Sequence, residues 1–184
     1  MKYPLLFAAS IAAMSLAGCK KDAEPATDAA TTGPATEVAA TVAAESPGQS
    51  FANVAAASNA FEIETSKLAL TKASAAKVKT FAQQMIDAHT DSTAKLQGAA
   101  AAASPPITPV PTLTAAQQSK LDGLAAKSGA DFDSAYTAIQ VTAHQETLDA
   151  LKGYAAGGDV PSLNAFAKQL VPIVTAHLNM AKSL

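Results

Sequence analysis

Four side chains in this sequence have the chemistry to bind a metal or move a proton inside a folded domain: His89, His144, His177 and Glu62. The three histidines are the only ones in the chain. Each falls on the apolar stripe of a predicted helix, as in KVKTFAQQMIDAHTDSTAKL (77–96), where Val78, Phe81, Ala82, Met85, His89 and Leu96 recur every three or four positions. Three helices would then aim an imidazole inward. Neutral imidazole is a ligand for Zn, Cu, Ni and Fe, so a mononuclear three-histidine site with Glu62 as a further ligand is one chemistry this pattern fits. Met85 and Met180 stand one turn from His89 and His177, a spacing that would suit copper, although methionine in a bundle is ordinarily core filler. The competing reading is a buried polar network in which each ring bonds a carbonyl or carboxylate and sets helix register. A metal site requires the ring nitrogens to converge on one point at bonds of ~2.0–2.1 Å, whereas a network requires each nitrogen to have its own partner.

Other chemistries find no support. A carboxylate-bridged di-iron centre needs Glu three residues before His on two helices, but Ile86, Val141 and Val174 stand at those positions. Glu62 and Glu64 are two apart and point to different faces of a helix, which argues against an acid/base pair. Cys19, the only cysteine, lies outside the predicted fold, which removes disulfides, Cys-ligated zinc and a thiolate nucleophile within it. No strand-to-helix nucleophile elbow or glycine-rich phosphate loop is present. The net charge of −2, with lysines scattered, leaves no basic face for nucleic acid.

The elements that would position these residues are helical throughout. At 184 residues, alanine-rich, with 5% aromatic residues and no Trp, the chain predicts one all-α domain. A first helix is expected from Ser50 as N-cap to about Ala73, burying Phe51, Val54, Ser58, Phe61, Thr65 and Leu68 with Glu62 at the stripe's edge. A second starts near Ser74 and stops at Pro105-Pro106, because proline cannot continue the hydrogen-bond ladder. A long connection follows, with an extended PPITPVP segment, a short helix opened by a Thr114/Gln117 capping box, and a break at Ser128-Gly129. A third long helix begins near Asp131, carries Tyr136, Gln140, Val141, His144, Leu148 and Leu151 on one face, and ends at Gly157-Gly158. The last follows Asp159, with Pro161 in its first turn and Pro172 expected to kink it one turn before His177. Two antiparallel hairpins joined by one long crossover make a four-helix up-down bundle of ferritin-like type over 50–184.

Ahead of it, 1–18 reads as a secretory signal, with Lys2 followed by an apolar run too short to span a bilayer. Leu16-Ala17-Gly18-Cys19 resembles the bacterial lipobox, which implies lipidation of Cys19 and attachment to the membrane; Lys20 after it favours the outer membrane, facing the periplasm. Residues 19–49 form an Ala/Thr/Pro-rich tether with a reach on the order of 30 Å.

A faint internal repeat relates the hairpins: FAQQM at Phe81 recurs as FAKQL at Phe166, and Glu62-x-Glu64-Thr65 is echoed by His144-x-Glu146-Thr147. Together with FEIETSKLALTKAS and FDSAYTAIQVTAHQETL, these motifs resemble the DUF4142 family, bacterial envelope helical proteins of unestablished biochemical function near the ferritin-like folds. The resemblance implies the fold and the placement of Glu62, His89, His144 and His177, and no catalytic assignment. The function placed first is a non-enzymatic role in partner contact or stress tolerance; the alanine-rich helices could also carry a self-association face. The alternative is transition-metal binding or redox at the three histidines.

Overall fold

In a computed structural model, residues 44–184 are described, and they lie within one compact unit, Val42–Leu184. The signal segment, Cys19 and most of the tether fall outside the described residues. Among these residues the fold is all-helical, with α1 Pro47–Lys72, α2 Ala76–Ala101, α3 Ala115–Ala125, α4 Gly129–Gly157 and α5 Pro161–Lys182.

Helix α1 begins four residues earlier than the sequence suggests. Ser46, not Ser50, is its N-cap, accepting from Gln49 N at 3.2 Å, and Pro47 occupies the first turn, where a missing N–H costs nothing. The chain expected to be tether at 47–49 is therefore helical. The Thr114/Gln117 capping box of α3 forms as expected. Helix α5 runs through Pro172 as one continuous helix. Gly129, with φ +60, supplies the left-handed turn that opens α4 after α3.

The four long helices pack α1 on α2, α2 on α5, α5 on α4 and α4 on α1, with α3 laid across α1 and α4. Three-residue connections join α1 to α2 and α4 to α5, which keeps each pair adjacent. Two apolar clusters fill the interior. One joins Ala52 and Ala56 of α1 to Leu96 of α2, Leu148 and Leu151 of α4, and Leu163 and Phe166 of α5. Phe51 closes that end by stacking on Tyr154, ring centroids 3.9 Å apart. The other joins Ala69 of α1 to Phe81 and Met85 of α2, Phe132 and Tyr136 of α4, and Ala181 of α5, with Leu124 of α3 sealing it. Val54, expected to be buried, is 51% exposed, because the inward face of α1 rotates through Ala52, Ala56 and Asn59 instead.

The extended segment between α2 and α3 is held against α1 by side chains. Gln49 Nε2 donates to the Thr108 carbonyl at 2.7 Å, and Val110 N donates to Asn53 Oδ1 at 2.9 Å. These bonds give the exposed backbone of a proline-rich strip fixed partners it cannot supply itself.

Candidate metal centre

Between the two apolar clusters the bundle is polar. In α1, Asn59 and Glu62 fall between Ala56 and Ala69; in α2, His89 falls between Met85 and Leu96; in α4, Gln140 and His144 fall between Tyr136 and Leu148; in α5, His177 falls between Val174 and Ala181. The same stripe that feeds both apolar ends carries the polar residues at mid-length, so continuing the 3.6-residue period brings them to a common layer.

The three imidazoles form a near-equilateral triangle. Ring centroids are 5.6 Å apart for His89–His144, 5.9 Å for His89–His177 and 5.6 Å for His144–His177. One nitrogen from each ring lies within 4.8 Å of the other two. Bonds of ~2.0–2.1 Å place ligand nitrogens about 3.3–3.6 Å apart around one ion, so an edge of 4.8 Å must shorten by about 1.2–1.5 Å, within the reach of side-chain rotations.

Hydrogen bonding fixes which nitrogens are free. His89 Nδ1 donates to Asn59 Oδ1 at 2.9 Å, and His144 Nδ1 donates to the Gln140 carbonyl, one turn back on its own helix, at 2.9 Å. An oxygen that can only accept puts the proton on Nδ1 and leaves the lone pair on Nε2, the arrangement that metal-binding histidines use. His89 Nε2, His144 Nε2 and His177 Nδ1 are buried and have no hydrogen-bond partner. In a purely structural network such atoms would be satisfied.

Electrostatics keeps the rings neutral. Burial pushes His89 well below the ordinary histidine value, and the nearby His144 and His177 add to the effect. Burial lowers His144 to about 4, against the bond to Gln140, and also lowers His177. All three are therefore in the ligand form at neutral pH.

Glu62 is not among the converging atoms. Its Oε1 lies 3.6 Å from His144 Nδ1, the nitrogen already bonded to Gln140, and Glu62 is not one of the three side chains that converge. Both residues are 1% exposed, and burial pushes the carboxyl up to about 8, the Gln140 side chain working in the opposite sense. The internal repeat paired Glu62 with His144, and these two residues face each other across α1 and α4. Met85 lies in the apolar cluster with Phe81 and Tyr136, and Met180 is exposed, so neither completes the triangle. Sequence reasoning overlooked Asn59, which lies three residues before Glu62, and the Gln140 carbonyl, four residues before His144. Both spacings put them on a shared helix face.

Among solved structures, CopM in the Cu(I)-bound form matches with a TM-score of 0.61 at 16% identity, covering 76% of this chain and 95% of CopM. CopM in the Cu(II)-bound form matches with a TM-score of 0.61 at 16% identity, covering 74% and 93%. At that identity the likeness is one of fold. No curated protein matches the chain. The family model described as "Domain of unknown function (DUF4142)" matches residues 33–184, most of the sequence, and the chain belongs to the DUF4142 family.

Proposed function

We propose that this protein binds a single transition-metal ion, copper, on His89, His144 and His177. The observation that carries this reading is a triangle of imidazoles from three helices, one nitrogen of each within 4.8 Å of the others, each ring also holding a buried nitrogen without a hydrogen-bond partner. It favours metal binding over the partner-contact or stress-tolerance role that the sequence places first, because a bare structural network has no use for three unpartnered imidazole nitrogens. Neutral nitrogen ligands suit Zn, Ni, Fe and copper alike, and copper stands highest of these in intrinsic affinity. The CopM structures, of similar fold and with Cu(I) or Cu(II) bound, support the same choice. Asn59 and the Gln140 carbonyl orient two of the ligands, and Glu62 packs on His144 rather than joining the set.

The four long helices are read as a ferritin-like up-down bundle, a reading supported by the order α1, α2, α5, α4 around the core. The anchoring belongs to the same proposal: lipidation at Cys19 would hold the domain at the outer membrane, facing the periplasm, where it would bind copper rather than catalyse a reaction.

The test is elemental analysis of protein purified from the periplasm without chelator or affinity tag and then incubated with Cu, Zn, Ni and Fe in turn, beside a His89→Ala, His144→Ala, His177→Ala variant. About one copper per chain is expected, lost in a variant that keeps its helical circular dichroism. A chain that takes up none of the four metals, or a folded variant that keeps its copper, would overturn the proposal.

A further inference from the structure

A cavity of about 30 Å³ opens beside two of the three ligands, lined by Asn59, His89, His177, Ser92 and Thr147 together with apolar side chains such as Phe166. A space of this size holds more than one water and suits a small ligand of a few heavy atoms. Its walls are mostly apolar, yet one buried donor is left over. Asn59 is 5% exposed and uses Oδ1 on His89, while its Nδ2 has no acceptor. The cavity thus joins an unpartnered N–H₂ to two rings whose lone pairs are also unpartnered. An apolar void alone would need none of these, and a structural asparagine would have found an acceptor.

We infer that this cavity is the exogenous-ligand position of the metal centre, taking a small linear acceptor of two or three heavy atoms, the class of dioxygen, nitric oxide and azide. With an ion held by the three histidines, such a ligand would lie beside His89 and His177, where Asn59 Nδ2 would be its hydrogen-bond donor. This inference rests on the metal reading. Three protein nitrogens leave an ion at least one open position, and the apolar walls exclude bulk water from it. His177 is the half-buried member of the triangle, so of the three rings it is the one nearest solvent. Asn59 is then a positioning residue twice over, holding the His89 tautomer with its oxygen and the bound ligand with its nitrogen.

Azide added to the Cu(II)-loaded full chain tests the inference. It should give a new charge-transfer absorption and a shifted electron paramagnetic resonance spectrum, whereas imidazole, too large for the cavity, should leave both unchanged. Ala55→Leu, which fills the cavity from α1, should weaken azide binding at least tenfold with copper content unaltered; Ala88→Leu does the same from α2 should the first variant not fold. Asn59→Asp keeps an acceptor for His89 but loses the donor, and should also weaken azide at least tenfold. Imidazole binding as readily as azide, or azide affinity unchanged in the filled variants, would place the open position on another face and overturn the inference. Unchanged affinity in Asn59→Asp would remove the role of its donor. Failure to take up copper overturns the metal reading and this inference together, whereas one copper per chain with no azide response overturns this inference alone.

Discussion

Glu62 is the residue whose burial costs the fold most visibly. Its carboxyl is raised from 4.5 to about 8 by desolvation, so between those values the folded chain holds a proton that the unfolded chain has released. Stability therefore falls as pH rises through this window and levels off above about 8. The histidines act in the opposite sense: their lowered values mean the unfolded chain takes up protons below about 6.5 that the folded chain resists, so acid destabilises through them. Between pH 7 and 9 the folded histidines stay neutral and the unfolded ones keep only a residual charge near pH 7, so Glu62 dominates. Metal-free protein should lose about 1 kcal/mol over that range. Glu62→Gln should abolish the loss, which urea unfolding at the two pH values would detect; the same slope in the variant would assign it to another group. The three histidines were legible as a candidate set because each broke an apolar stripe. The displaced position of Glu62 was not, because a ligand and a residue packed on one occupy the same helix face.

At the scale of elements, the helices were legible from periodicity and punctuation, and their ends were not always so. Helix α2 illustrates the difference. The sequence offers Ser74 near its start, but the residue at the N-cap position is Ala75, which has no capping side chain. Asp133 of α4 serves instead: Oδ1 accepts from Ser74 N at 3.0 Å, and Oδ2 accepts from Ala75 N at 2.9 Å and from the Ser74 hydroxyl. Desolvation works to raise the Asp133 pKa, but the bonds from Ser74 and Ala75, with Lys79 nearby, outweigh it and hold the group below its ordinary value. Asp133→Ala should cost about 1 kcal/mol at pH 7, the usual worth of a cap, read as a lowered thermal midpoint. The difference should shrink in acid, as the wild-type carboxylate is protonated below its ordinary value of 3.8. An equal midpoint in variant and wild type at pH 7 would show that water replaces the cap. A cap 58 or 59 residues away in sequence leaves no local signature.

For the molecule as a whole, two apolar ends around a polar middle are a costly core unless something binds there. Seven buried side-chain polar atoms in the described residues lack partners, all of them on Asn59, Glu62, Gln140 and the three histidines. Each unmade bond costs about 1–3 kcal/mol, and an ion satisfying the three histidine nitrogens would recover part of that cost. A ligand that binds the folded chain alone stabilises it by about 2.7 kcal/mol at a hundredfold excess over its dissociation constant. Saturating copper should therefore raise the thermal midpoint by several degrees in the wild type and leave the triple histidine variant unmoved, as differential scanning calorimetry would measure. A wild-type midpoint indifferent to copper would count against a site within the folded core. No helix among the described residues is long and apolar enough to cross a membrane.

The sequence by itself determined that the domain is helical, where each long helix runs within a few residues, and that three imidazoles face inward. Those properties depend on spacing along one chain segment, and the 3.6-residue period writes them into the residue order. Only the tertiary structure decided that the three rings meet at one level with a nitrogen of each within 4.8 Å of the others, that Glu62 packs on His144 outside that set, that Asn59 supplies both an acceptor and a spare donor, and that α4 caps α2. Each of these depends on the axial offset between helices. That offset is set by how two distant apolar clusters pack, and no local stretch of sequence encodes it.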